Sequence, residues 1–80
     1  MERVHDLPHD DTWITDRRRA IGDRIRVERN RQNLTQEAVY LQAGISRWTL
    51  QRVEAGEDAT LSTLLRIMRV LGMTFASLDQ

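Results

Sequence analysis

Residues 34–72 carry one punctuation three times: a hydroxyl residue, a short run with apolar residues at helical spacing, and a glycine. Thr35 precedes QEAVYLQA and Gly44, Ser46 precedes RWTLQRVEA and Gly56, and Thr60 precedes LSTLLRIMRVL and Gly72. A Ser or Thr hydroxyl accepts from a free N–H of the first helical turn, and glycine closes a helix in the left-handed conformation. The pattern predicts three short helices joined by tight turns. Ala38 and Leu41 face inward on the first of them, Leu50 and Val53 on the second. Leu61, Leu64, Leu65, Met68 and Leu71 form an apolar stripe on the third. A longer helix precedes them: Thr15 or Asp16 can cap it, Ile21 and Ile25 recur one turn apart, and Asn33 ends it. The tail MTFASLDQ fits either a single helical turn or a short strand. No strand is signalled elsewhere, so the expected class is all-α: four to five helices over residues 15–80, after an acidic flexible arm at residues 1–14.

Eighty residues make one domain near the lower size limit for a self-sufficient core, with little room for a catalytic cleft. There is no cysteine, hence no disulfide framework or thiolate metal site, which suits a reducing cytoplasm. The apolar runs are too short to cross a membrane, and MERVHDLPHDD lacks the order of a signal peptide. His5 and His9 stand among carboxylates, but Pro8 spoils the helix that would bring them together, so no metal site is expected. The formal net charge is zero, yet its distribution is uneven. Residues 1–16 balance at −4, residues 17–56 set nine Arg against four acids for +5, and residues 57–80 balance at −1. A basic central block of this kind is the electrostatic footprint that phosphate requires.

The helix after Ser46 tells most about function. At 100° per residue Leu50 and Val53 define its buried side, and Trp48 points roughly 170° away. Gln51 and Arg52 stand at roughly 130° and Arg47 at roughly 90° from the buried direction. Two guanidinium groups, an amide and a flat ring suit base edges: Arg pairs with guanine, Gln with adenine, and an apolar ring covers a thymine methyl. Three readings of Trp48 remain open at this level, a groove-facing ring, a contact with a partner protein, and a core residue. Gln36 opens the preceding helix, where a side chain and free backbone N–H groups meet phosphate.

LTQEAVYLQAGISRWTLQRVEAG resembles the helix-turn-helix core of the lambda-repressor and Cro-like (XRE) family of DNA-binding regulators. Leu34, Thr35-Gln36-Glu37, Ala38, Ala43-Gly44-Ile45-Ser46, Leu50, Val53, Glu54 and Gly56 carry the likeness, which extends over about residues 20–78. The resemblance implies a compact lambda-repressor-like domain that places helix 46–55 in the major groove of a double-stranded operator. It implies contacts from Gln36, Ser46, Arg47, Trp48, Thr49, Gln51 and Arg52, and an ion pair between Arg29 and Glu54. Two departures stand out. Trp48 replaces a small or polar residue, and Glu28 falls where many relatives bury an aliphatic one. EDATLSTLLRIMRVLGMTFASLD is similar to the matching part of HipB-like antitoxins, small dimeric repressors that also bind a toxin kinase. There the segment matching MTFASLD pairs as a strand across the dimer.

Catalysis is not expected. The two His lie in the acidic arm, no Gly-rich phosphate loop is present, and Ser46 is better explained as a cap than as a nucleophile. No cofactor is implied. The contest is between a sequence-specific DNA-binding regulator, most simply a repressor, and an antitoxin-type module that mainly binds a partner protein. Because one recognition helix reads only a few base pairs, a homodimer is expected, with Met73, Phe75 and Leu78 as its seam.

Overall fold

The computed structural model describes residues 10–79. Four helices and a closing 3-10 turn follow in order: α1 Thr12–Arg31, α2 Gln36–Ala43, α3 Arg47–Glu54, α4 Leu61–Leu71, and the 3-10 helix Phe75–Asp79. Helix α1 packs against α3, α4 and the 3-10 turn, and α2 packs against α3 and α4. The three hydroxyl caps act as their positions dictate. Thr35, Ser46 and Thr60 accept from the backbone N–H of Ala38, Thr49 and Thr63 at 3.0, 3.0 and 3.1 Å. Gly44 turns the chain between α2 and α3 at φ 71, a conformation in which any side chain would be strained.

The core joins all five elements through Ile25, Val39, Ala43, Leu50, Val53, Ile67, Met68, Leu71 and Leu78. Several expectations need correction. Helix α1 begins at Thr12 rather than behind a cap at Thr15 or Asp16. The Thr12 N–H finds Asp10 Oδ1 at 3.1 Å, and no proline or glycine between Thr12 and Thr15 stops the helix from reaching back. The helix thus enters the stretch assigned to the arm; His5, His9 and the rest of residues 1–9 lie outside the described residues. Leu41 is exposed, because Val39 and Ala43, one turn apart, take the core face of α2 and Leu41 lies about 200° from Val39. On α4, Ile67, Met68 and Leu71 are buried and Leu64 partly so, whereas Leu61 and Leu65 are exposed. Leu65 falls at the margin of that arc, and Leu61 stands at the helix's first turn.

The tail resolves as a helical turn, not a strand. It folds back on α1, where Arg24 Nε donates to the Ser77 carbonyl at 3.3 Å. That turn carries Leu78 into the chain's own core, where it is 8% exposed. The seam expected from Met73, Phe75 and Leu78 is therefore reduced: Leu78 is spent internally, Met73 is half-buried, and Phe75 alone stands out at 57%.

Glu28, the departure in α1, anchors a clamp rather than filling the core. Its carboxylate accepts from Arg31 at 2.6 and 2.9 Å and from the Gln32 amide at 2.7 Å. The same Gln32 amide donates to the Leu71 carbonyl at 2.8 Å, tying the end of α1 to the end of α4. The Arg31 guanidinium first, and then the Gln32 amide, hold the Glu28 carboxyl down at about 2, from an ordinary 4.5. A depressed carboxylate contributes stability that is fully present above the unfolded value and is lost as pH falls through the folded one. Thermal unfolding between about pH 4.5 and 2 is thus expected to fall less steeply in Glu28→Gln than in the wild type. Identical pH profiles would remove Glu28 as an anchor.

Candidate nucleic-acid interface

Helix α3 separates two kinds of residue cleanly. Leu50, Val53 and Glu54 are buried, while Arg47, Trp48 and Gln51 are exposed and Arg52 partly so. The facing derived from Leu50 and Val53 holds, and Trp48, 64% exposed, is not a core residue.

Each residue expected at a contact can now be placed. The Ser46 hydroxyl is at the α3 N-terminus and shares a hydrogen bond with the Thr49 hydroxyl at 2.8 Å, besides accepting from the Thr49 N–H. Both hydroxyls therefore serve the cap, and Thr49 is half-buried. Arg47 pairs with none of the described residues. Arg52 does not stand free: its guanidinium lies over the Trp48 ring, 4.6 Å from the centroid, and Nη1 is 3.1 Å from Glu57 Oε1. Glu57 belongs to the site and has no signal in the sequence pattern. Gly56, at φ 85, folds the chain back, so that the Glu57 N–H donates to the Arg52 carbonyl at 2.9 Å and the two side chains meet.

Beneath this face lies the support that holds α3 to α1. Arg29 reaches Glu54 with two hydrogen bonds, Nε to Oε2 at 2.7 Å and Nη2 to Oε1 at 3.0 Å. Its remaining Nη1 donates to the Leu34 carbonyl at 2.9 Å. The pair is nearly dry, with side-chain exposures of 12% and 6%. Gln36 joins it: its amide donates to Glu54 Oε1 at 3.2 Å. Gln36 is thus tied to the base of α3 instead of standing free at the start of α2.

The basic block is also less available than the charge count implies. Arg18 donates to the Gly56 carbonyl, Arg24 to that of Ser77, and Arg26, Arg29 and Arg31 pair with Asp23, Glu54 and Glu28. Five of the α1 arginines are thus engaged by the protein's own groups, Arg26 and Arg31 in pairs at the surface. On α3 itself the cations are Arg47, which pairs with none of the described residues, and Arg52, which contacts Trp48 and Glu57. Among the described residues no group of acidic or histidine side chains could hold a metal ion, and no helix is long and apolar enough to cross a membrane. A family model described as helix-turn-helix matches residues 25–78, more than half of the chain. No curated protein matches it.

Proposed function

The chain belongs to the helix-turn-helix family of XRE-type DNA-binding regulators, and we propose that it is a sequence-specific repressor that inserts α3 into the major groove of an operator. The observation that carries this reading is the division of α3. Its core side is closed by Leu50, Val53 and Glu54, while its outward side offers Arg47, Trp48, Gln51 and Arg52 together. Arg52 and Gln51 supply the bidentate donors and acceptors that distinguish base pairs, and the Trp48 ring adds apolar contact in the groove. Arg47, Gln36 and the capped α3 N-terminus with Ser46 and Thr49 position the helix against phosphate. A homodimer completes the site, since two copies of α3 about 34 Å apart read two half-sites in successive turns. Its seam includes Phe75, which is exposed, with Met73 at the margin. The second reading, a module that mainly holds a partner protein such as a toxin, rests on the same exposed Trp48 ring.

Mobility shifts on duplexes, followed through a salt series with sedimentation of the same complexes, test the DNA reading. Binding should weaken with a log–log slope near −0.9 per phosphate contact, and the complex should contain two chains. Arg52→Ala or Gln51→Ala should cost about 1–3 kcal/mol and relax base preference at one position, whereas Gln36→Ala weakens all sequences alike. No binding to any duplex at low salt would leave only the partner-protein reading. A monomer with and without DNA would remove the dimer.

A further inference from the structure

We propose that Trp48 and Glu57 hold Arg52 in a preset reading position, so that base discrimination by Arg52 depends on Glu57, a residue outside α3. The proposal rests on the reading of α3 as the helix that enters the groove, and it adds a specificity-determining pair to that site.

Two restraints of different kind act on one guanidinium. The ring of Trp48, one helical turn before Arg52, has its centroid 4.6 Å from the guanidinium carbon, and the cation–ring attraction keeps the group over the ring face. The Glu57 carboxylate, with Oε1 3.1 Å from Nη1, is an ion-pair contact that draws the guanidinium toward one side of the ring. A guanidinium carries five N–H donors, so a carboxylate beside Nη1 leaves the Nε and Nη2 donors for a pair of base acceptors such as O6 and N7 of guanine. A long side chain held in its bound geometry loses less freedom on binding, and a misplaced base meets donors that cannot swing to suit it. Arg47, one position before Trp48, has no partner among the described residues and lacks this restraint. The carboxylate's location gives the second argument. Glu57 is 54% exposed beside a surface that meets phosphate, where a negative charge weakens attraction to every duplex. Its contribution is therefore to discrimination, at the expense of general affinity.

The two effects separate in one experiment. The protein itself selects a preferred duplex from a randomised pool, and dissociation constants are then compared on that duplex and on a scrambled one. Glu57→Gln is expected to bind the scrambled duplex more tightly, and its ratio of scrambled to preferred dissociation constants should fall roughly threefold or more. That fall should be absent when Arg52→Ala is already in place. Trp48→Ala should also lower the ratio, and Trp48→Phe, which keeps a ring under the guanidinium, should restore part of it. A ratio unchanged in Glu57→Gln, with both duplexes bound more tightly by one factor, would make Glu57 a mere surface charge and overturn the proposal. Nitrogen-15 relaxation of the Arg side chains reads the restraint without DNA. Arg52 Nε should be more ordered than Arg47 Nε and should loosen in Glu57→Gln; equal mobility of the two would also overturn it. Should Arg52→Ala relax no base position while Arg52 Nε proves ordered, the failure lies with the reading of α3 and not with the restraint.

Discussion

Glu54→Ala is expected to destabilise the protein by about 3–5 kcal/mol, because it strands a buried guanidinium. Arg29 is 12% exposed and spends two of its three nitrogens on Glu54, so after the change only the Leu34 carbonyl remains to it. A domain of this size has a total stability of roughly 4–12 kcal/mol, so the loss removes a large share of the fold. Gln36 loses its acceptor at the same time, which loosens the start of α2 from the base of α3. Urea or thermal denaturation reads the effect. Replacing Arg29 and Glu54 together by methionine should cost much less than Glu54→Ala, since the penalty for one unpaired charge is then gone. A melting temperature in Glu54→Ala equal to the wild type's would reduce the pair to a contact without consequence.

The second large effect concerns a position without any side chain. Helix propensity alone says that Gly22→Ala, in the interior of α1, should stabilise by about 0.8–1 kcal/mol. The packing says the opposite. A Cβ at position 22 would stand 2.4 Å from the Val53 carbonyl oxygen, 3.0 Å from that of Glu54 and 3.1 Å from the Gly56 nitrogen. All three are backbone atoms, so no side chain can swing aside and α1 must move away from α3. Gly56 meets α1 as closely from the other side, where a Cβ would lie 2.9 Å from Arg19 Cα. Overpacking of this kind costs about 1–3 kcal/mol or more, which outweighs the propensity gain. Gly22→Ala should therefore melt below the wild type and bind DNA more weakly, since α3 is displaced with its reading face. A higher melting temperature would mean that the two helices tolerate a methyl group between them.

The parts of the fold that were legible in the sequence are those governed by local rules. Thr35, Ser46 and Thr60 cap their helices because a hydroxyl before a helical run has free N–H groups within reach whatever the rest of the chain does. The outward direction of Trp48 followed from Leu50 and Val53 on the same helix, since the angle between residues of a regular helix is set by its pitch. Where a helix carries more apolar residues than its neighbours can cover, periodicity stops deciding. Leu65 and Ile67 on α4 are equally apolar, and only the position of α1 and α2 makes one exposed and the other buried.

Charge showed the same division. The excess of Arg in residues 17–56 is a property of the chain, but its use is not: in α1 most of it holds carboxylates and carbonyls of the protein itself. Leu78 was expected at a surface seam, and the 3-10 turn after Gly72 brought it back into the core. By itself the sequence determined the all-helical class, the helix-turn-helix order and the face of α3 that looks away from the core, because caps, stops and helical angles act within a few residues. Only the tertiary structure decided that Gly22 is the contact point of α1 with α3, that Gln36 leans on Glu54, and that Glu57 lies beside the Arg52 guanidinium. Those contacts join residues whose separation along the chain says nothing about their distance in space until the helices have packed.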